Sequence, residues 1–187
     1  MEYIKHIQQF KPANDQEDAD KKVILTYIQK HNHTVLLRDD PVAHITSSGF
    51  LMNKQLDKVL LIHHNIRDTW AWTGGHADGD SDLLHVAIKE ASEETGAITI
   101  NPLVREIASL DILPVFGHRR KGCYVNAHLH LSVAYILICD ELEELRPQLS
   151  ENTDVAWFPT SYFSEDHFDP FDVYLYNKLI DKALVLR

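Results

Sequence analysis

One short segment with an uneven distribution of charge constrains the fold more than any other part of the sequence. Its apolar residues form a single arc at about 100° per residue, namely Leu83, Leu84, Ala87, Ile88 and Ala91. This arc predicts a helix that packs against a sheet. Ser81 and Asp82 are suitable N-cap residues, and Gly96 is a suitable C-terminal cap. We therefore expect a helix from about Asp82 to Thr95.

Three glutamates cover the arc next to the apolar one, and they lie near the C-terminal end of the predicted helix. Glu90, Glu93 and Glu94 repel one another at these spacings, and they also meet the negative end of the helix dipole. Glu94 falls at the margin of the apolar arc, where a carboxylate must be neutralised, paired or bound to a metal. Mg²⁺ suits such a cluster, because it prefers oxygen ligands and also takes up substrate phosphates. The alternative is a solvated acidic helix end without a ligand.

The remaining pattern predicts a mixed α/β protein with helices on both faces of a mixed sheet. Strands are expected over 43–53, 58–64, 69–75, 128–139 and 155–160, with one or two more between 98 and 115. The segment GHRRKGCYVNA is predicted to be a polar loop, and residues 172–185 a closing amphipathic helix. Helical patterns at 4–10 and from Asp15 or Asp18 to Lys30 predict an N-terminal extension over 1–40, followed by the main domain over 41–187.

Charge and cysteine content exclude several classes of protein. The formal net charge is −10, which argues against a basic groove for nucleic acid. The two cysteines, Cys123 and Cys139, fit neither a zinc motif nor a disulfide scaffold. The sequence shows no signal peptide and no apolar run of transmembrane length. We therefore expect a cytoplasmic protein that binds neither nucleic acid nor a membrane.

The segment GGHADGDSDLLHVAIKEASEETGA resembles the signature sequence of the Nudix hydrolases. That signature is a glycine, five residues, a glutamate, seven residues, and then Arg-Glu-apolar-x-Glu-Glu-x-Gly-apolar. Gly75 and Gly96 match its first and last glycines. Glu90, Glu93 and Glu94 match the glutamates that bind metal in the family. The match covers about an eighth of the chain.

Two positions depart from the family pattern. Lys89 replaces the arginine, so it keeps the positive charge but loses the planar fork that binds a carboxylate in two places. Ser81 stands where the family has its first glutamate, which is mostly structural. Asp80 and Asp82 lie on either side of Ser81, and either of them can substitute for that glutamate.

The resemblance implies an α/β/α sandwich and a Mg²⁺-dependent pyrophosphohydrolase, with Mn²⁺ as a second choice of cofactor. Its substrate is a nucleoside diphosphate linked to another moiety. The implied metal ligands are Glu90, Glu93, Glu94 and a backbone carbonyl near Gly75. Glu93 and Glu94 are also the implied catalytic residues. Some family members draw the general base from a loop outside the signature, where Glu151 is our first choice and Asp154 the alternative.

Candidate substrate-binding residues are positively charged or lie beside the glycines. Arg119, Arg120 and Lys121 form the only dense positive cluster in the sequence, which suits a terminal phosphate. Arg67 and His76 flank the glycine loop and are weaker candidates.

Histidines offer one further metal hypothesis, which the sequence does not favour. His128 and His130 share one face of a predicted strand and could combine with His85 in a zinc site. No third ligand has a suggestive spacing, so we do not predict zinc.

ADP-ribose-like compounds are the first expectation for the substrate. In that branch of the family a proline follows the signature by about fifteen residues, and Pro114 follows Ala97 by seventeen. The alternative is a Nudix-fold nucleotide sensor with little or no turnover, and a third reading is a purely structural acidic helix. The family resemblance also allows a homodimer, to which the N-terminal extension could contribute.

Overall fold

Two helices begin the chain and pack onto the rest of the protein. The computed structural model describes residues 2–120 and 122–186. Helix α1 (Glu2–Gln9) and helix α2 (Asp15–His31) are followed by a 3₁₀ helix at Asn32–Leu36. Asn14 caps α2, because its side chain accepts a hydrogen bond from the backbone N–H of Glu17. Both helical predictions for the N-terminal extension are confirmed.

A single mixed sheet forms the centre of the molecule. Its strands are β1 (Ala43–Met52), β2 (Lys58–His64), β3 (Thr69–Ala71), β4 (Thr73–His76), β5 (Asn101–Pro102), β6 (Ser109–Val115), β9 (His128–Ile138) and β10 (Asn152–Pro159). The main path through the sheet is β10-β2-β1-β9-β5, with β3 beside β2, β4 beside β1 and β6 beside β9. Strands β1 and β9 are parallel and pair along their whole shared length, which places them at the heart of the sheet.

Helices α3 (Leu83–Thr95) and α4 (Pro170–Leu186) cover opposite faces of this sheet. Side chains alternate between the two faces of a sheet along a strand, so the contacts of Ser47 and Phe50 in β1 show which helix covers each face. Ser47 donates a hydrogen bond to the carbonyl of Leu83 at the start of α3. Phe50 stacks on Tyr176 of α4, with 6.1 Å between the ring centroids. The predicted α/β/α sandwich around a mixed sheet is confirmed.

The N-terminal helices contribute directly to the hydrophobic core. Tyr3 and Ile7 of α1 and Ile24 of α2 are buried in the same cluster as Ile45 of β1 and Leu84 of α3. The proposed domain boundary at Asp40–Pro41 stays a prediction. In the described ranges, 2–120 and 122–186, no helix is both long and apolar enough to cross a membrane.

The segment predicted as a polar loop contains two strands, so that prediction is wrong. Strand β7 (His118–Arg120) pairs with β8 (Cys123–Val125) in a separate antiparallel ribbon, in which Arg119 lies opposite Tyr124. Gly122 has a φ of 84°, a value that suits glycine in a connecting turn. The polar composition concealed the strands, because a ribbon outside the core needs no apolar alternation. Strand β10 also begins earlier than predicted, at Asn152.

Candidate active site

Local capping fixes the limits of α3. The side chain of Asp82 accepts a hydrogen bond from the backbone N–H of His85 at 3.0 Å, which caps the first turn. Gly96 ends the helix in the left-handed conformation, with a φ of 73°. A Cβ at this position would also lie 3.0 Å from Arg146. Helix α3 thus matches its prediction to within one residue.

The residues around Ser81 show how the chain manages without the glutamate of the family pattern. Asp80 accepts a hydrogen bond from the backbone N–H of Asp82 at 2.8 Å. Its other carboxylate oxygen lies 3.1 Å from the Nδ1 of His85. Asp80 and Asp82 together therefore organise the turn that leads into α3.

Strand β4 lies close enough to α3 to require a glycine. A Cβ added at Gly75 would lie 2.4 Å from the carboxyl carbon of Glu90. That distance is far inside van der Waals contact, so any larger residue would displace the Glu90 carboxylate. The absence of a side chain at Gly75 therefore allows the Glu90 carboxylate to approach the backbone of β4 closely.

Glu94 is the most deeply buried of the three glutamates. Its side chain is only 3% exposed, and the backbone N–H of Gly74 donates a hydrogen bond to it at 2.9 Å. Burial raises the pKa of Glu94 to about 8, and the negative charges of Glu90, Glu151 and Glu93 add to the effect against the opposing Gly74 hydrogen bond. Among the residues that the structure describes, no basic side chain forms an ion pair with Glu94.

Lys89 lies between the other two glutamates of the helix. Its Nζ is 3.3 Å from Glu90 and 3.4 Å from Glu93. Burial nevertheless raises the pKa of Glu90 above its ordinary value, although Lys89 opposes the shift. Glu93 is about half exposed, with 51% of its side-chain surface accessible, so it faces solvent beside the buried Glu94 and the partly buried Glu90. Lys89 thus relieves part of the repulsion but leaves Glu94 uncompensated.

The loop before β10 brings Glu151 into the same electrostatic environment. Its negative charge contributes to the raised pKa values of both Glu90 and Glu94. Asn152 donates a hydrogen bond from its side chain to the carbonyl of Glu94 at 3.0 Å, which ties this loop to the end of α3. Glu151 itself is exposed, so its carboxylate is accessible to solvent beside the helix.

This set of donors fits a hard divalent cation. Two carboxylates are held where burial disfavours their charge, and a third and a fourth lie beside them at the solvent edge. A bound cation would supply the positive charge that the described side chains do not give to Glu94. The arrangement of Glu90, Glu93 and Glu94 is therefore compatible with the metal site that the sequence implied.

The predicted substrate-binding residues lie in several places. Arg67 forms an ion pair with Asp172 at the start of α4, at 3.2 Å. Arg119 donates a hydrogen bond to the carbonyl of Gly122 within the β7–β8 ribbon, at 3.3 Å. Arg120 pairs with Cys123 in the same ribbon, and Lys121 lies outside the described residues. Their roles in binding a substrate stay predictions.

His76, the last of these candidates, lies in a group of four histidines that sequence reasoning missed. Its ring centroid is 4.9 Å from that of His44 and 4.9 Å from that of His130. His128 completes the group, whereas His85 lies at the start of α3 beside Asp80. Burial, followed by the other histidines, lowers the pKa of His130 well below its ordinary value. The pairing of β1 with both β4 and β9 brings these residues together, so local spacing could reveal only the pair of His128 and His130.

Comparison with solved structures identifies the class of fold. A NUDIX-family hydrolase from Clostridium perfringens superposes with a TM-score of 0.51 at 21% identity, over 74% of this chain and 96% of that one. A MutT protein from Methanosarcina mazei Go1 gives a TM-score of 0.52 at 16% identity, over 76% and 96% of the two chains. At these identities the likeness establishes a Nudix-type fold and nothing finer. No curated protein matches the chain.

The family follows from the sequence match. The NUDIX domain model matches residues 42–179, which is most of the chain. The protein therefore belongs to the Nudix hydrolase family, whose members are pyrophosphohydrolases of nucleotide-derived substrates and typically use a divalent metal.

Proposed function

We propose that this Nudix hydrolase cleaves the pyrophosphate bond of a nucleoside diphosphate linked to another moiety, with Mg²⁺ as cofactor and Mn²⁺ as a substitute. The observation that carries the proposal is the buried carboxylate of Glu94 beside that of Glu90. Burial raises the pKa of both groups, and the described basic side chains do not compensate Glu94. A divalent cation is the partner that would make this arrangement favourable.

Each residue of the site has a distinct proposed role. Glu90, Glu93 and Glu94 hold the cation, together with a backbone carbonyl near Gly75. When bound, such a cation neutralises phosphate charge and lowers the pKa of a coordinated water. Glu151 is the proposed general base, because it is exposed to solvent and lies close enough to influence the charges of Glu90 and Glu94. Glu94 is the alternative base.

For substrate binding, we propose that the β7–β8 ribbon contributes positive charge. Arg119 and its neighbours Arg120 and Lys121 are the candidates for the phosphates or the linked moiety, and Arg67 and His76 are secondary candidates. ADP-ribose-like compounds are the first substrates to test. A cytoplasmic location and a homodimer remain predictions from the sequence.

A turnover assay on a panel of compounds tests this proposal. Purified protein is incubated with ADP-ribose, nucleotide sugars, dinucleoside polyphosphates and nucleoside triphosphates, with Mg²⁺ or Mn²⁺, and the nucleotide products are separated by chromatography. We expect metal-dependent release of a nucleoside monophosphate from at least one nucleoside diphosphate derivative. Glu90→Gln and Glu94→Gln should each lose most of this activity. The control variant is Glu144→Gln, which changes an exposed glutamate whose ion pair is with the equally exposed Arg146.

Two outcomes would contradict the proposal in different ways. Full Mg²⁺-dependent turnover by both Glu90→Gln and Glu94→Gln would disprove the metal assignment. Tight nucleotide binding by the wild type, without turnover of any compound in the panel, would support a nucleotide sensor instead.

A further inference from the structure

Four histidines from three adjacent strands meet on one face of the sheet. They are His44 of β1, His76 of β4, and His128 and His130 of β9. One ring nitrogen from each residue lies within 4.8 Å of the corresponding nitrogens of the other three. In the sheet, His44 lies directly opposite His130, and His76 lies opposite Thr46. Strand pairing therefore holds the backbones of all four residues in a fixed relative position.

This group lies on the other side of the sheet from the glutamates. Ser47 and Gly75 are paired and face α3, as their contacts with Leu83 and Glu90 show. His44 and Ser47, and likewise His76 and Gly75, are separated by an odd number of positions along their strands. Because side chains alternate between faces, the side chains of His44 and His76 point away from α3. The histidine group and the carboxylate site are therefore separate sites on separate faces.

His44 has a buried ring nitrogen with an unsatisfied lone pair. The residue is only 4% exposed, and its Nδ1 lies 3.2 Å from the carbonyl of Asp40. A carbonyl only accepts hydrogen bonds, so Nδ1 carries the proton and Nε2 has a free lone pair in the neutral ring. Within the described part of the chain, this buried Nε2 has no hydrogen-bond partner. Such an arrangement is typical of a metal-binding histidine, whose second nitrogen is held by a backbone carbonyl.

His128 repeats the same arrangement. Its Nδ1 lies 2.9 Å from the carbonyl of Asn126, which again leaves the lone pair on Nε2. That Nε2 lies 3.3 Å from the Nε2 of His130. Two imidazole nitrogens at this distance either share one proton or direct both lone pairs at a common cation. The second arrangement also satisfies the Nε2 of His44, whereas a shared proton does not.

We propose that His44, His76, His128 and His130 bind one divalent transition-metal cation, with Zn²⁺ as the natural occupant. Neutral imidazole suits Zn²⁺, Ni²⁺, Cu²⁺ and Fe²⁺, whereas Mg²⁺ prefers oxygen ligands. In a tetrahedral site with Zn–N bonds of about 2.0–2.1 Å, the nitrogens lie about 3.4 Å apart. The ring nitrogens lie within 4.8 Å of one another and must therefore approach by at most about 1.4 Å, which rotation of the partly exposed rings can provide.

Metal binding by the full-length protein tests this site. The protein is treated with a chelator, dialysed, and titrated with Zn²⁺ by calorimetry in the presence of excess Mg²⁺, which competes for the carboxylate site. We expect one Zn²⁺ per chain, and we expect Co²⁺ bound in its place to show the visible absorption of tetrahedral coordination. His44→Gln and His128→Gln should each weaken Zn²⁺ binding by at least about tenfold.

Two controls separate this site from other parts of the chain. His6→Gln removes an exposed histidine of α1 and should bind Zn²⁺ like the wild type. The double variant Glu90→Gln/Glu94→Gln should also keep the stoichiometry of one, so failure of the proposed hydrolase function would leave this result unaffected. If His44→Gln does not fold, the test relies on His128→Gln, because His128 is partly exposed and its substitution is less disruptive. Loss of the Zn²⁺-dependent rise in melting temperature in that variant is the second readout.

Three results would overturn the proposal. The first is a wild-type protein that takes up no stoichiometric Zn²⁺, Ni²⁺, Cu²⁺ or Co²⁺. The second is equal Zn²⁺ affinity in the wild type and His128→Gln. The third is loss of Zn²⁺ binding in the Glu90→Gln/Glu94→Gln variant while His128→Gln retains it.

Discussion

Two buried glutamates in this protein have opposite electrostatic environments. Glu17 of α2 is fully buried, and Glu94 of α3 is 3% exposed. Burial acts to raise the pKa of Glu17, but the Ala13 N–H and the ammonium groups of Lys182 and Lys178 reverse the effect, so that its pKa is lowered. Burial and three neighbouring carboxylates raise the pKa of Glu94 to about 8, because the hydrogen bond from the Gly74 N–H does not offset them.

The environment of Glu17 is a complete network that joins three elements. Lys182 of α4 donates to Glu17 and to the carbonyl of Ala108. Lys178 donates to Asp111 of β6, and Ser109 donates to Glu17 at 3.0 Å. The network therefore ties α2 and α4 to the β6 edge of the sheet. Since every carboxylate in it has a cationic or hydrogen-bonded partner, its charges are compatible with burial.

The difference between the two sites indicates that Glu17 has a structural role and Glu94 a functional one. Around Glu17 the chain provides its own positive charge, so nothing further has to bind. Around Glu94 it provides too little, so the carboxyl must either take up a proton or stay unfavourably charged until a cation binds. Strain of this kind is typical of functional sites, where stability is lower than the fold would allow.

The largest expected effect comes from breaking the compensated network. Lys178→Met leaves Asp111 without its ammonium partner and removes one of the two positive charges near Glu17. We expect a loss of about 3–5 kcal/mol in the free energy of unfolding, measured by urea denaturation. Lys22→Met is the matched control, because its exposed pair with Asp18 should contribute less than about 0.5 kcal/mol. Equal losses in the two variants would show that the network does not stabilise the fold.

The same substitution at the two glutamates should have opposite effects on stability. Glu94→Gln removes a carboxyl group that folding must either protonate or bury as an unpaired charge, so the metal-free protein should gain about 1–2 kcal/mol in the free energy of unfolding, while turnover falls by about 10²–10³-fold. Glu17→Gln removes the acceptor of Lys182 and should destabilise the protein, with little effect on the Mg²⁺ dependence of turnover. Chemical denaturation in the presence of a chelator measures both changes. Similar losses of stability in both variants would contradict the conclusion that Glu17 is compensated and Glu94 is not.

A smaller effect should appear in the pH dependence of stability. The pKa of Glu17 is lower in the folded protein than its ordinary value of 4.5, so its contribution is complete above that value. It is lost as the pH falls through the folded pKa, with a slope of at most about 1.4 kcal/mol per pH unit for one proton. Glu17→Gln should therefore show a shallower fall in the free energy of unfolding below pH 4.5. Parallel curves for the wild type and this variant would contradict the lowered pKa.

Local patterns predicted α3 and the position of its three glutamates well, because all their determinants lie close together in the sequence. The apolar arc, the Asp82 cap, Gly96 and the three glutamates are contained in one helix and its ends. Gly75 was predicted to lie at the site because the family signature includes it, and its close approach to Glu90 gives the physical reason. The match of residues 42–179 to the NUDIX domain model confirms the family that this signature implied.

The networks that join distant segments could not be predicted in the same way. Glu17 meets Lys182 only after α2 and α4 have packed beside β6, and nothing near Glu17 in the sequence indicates that partner. His44 meets His130 through the parallel register of β1 and β9, which depends on the order of the whole sheet. The β7–β8 ribbon was missed for a different reason, because its backbone pairing leaves no apolar pattern in the sequence.

Strand β4 contributes residues to both proposed ion sites. Gly75 lies against Glu90 on one face, and the next residue, His76, joins the histidine group on the other. A shift of this strand towards α3 would draw His76 away from His44, so the strand cannot adjust to one ion independently of the other. Any coupling through it is reciprocal: the factor by which Zn²⁺ changes the affinity for Mg²⁺ is also the factor by which Mg²⁺ changes the affinity for Zn²⁺. With both proposed sites coupled in this way, the Zn²⁺ concentration would set how strongly the hydrolase responds to Mg²⁺.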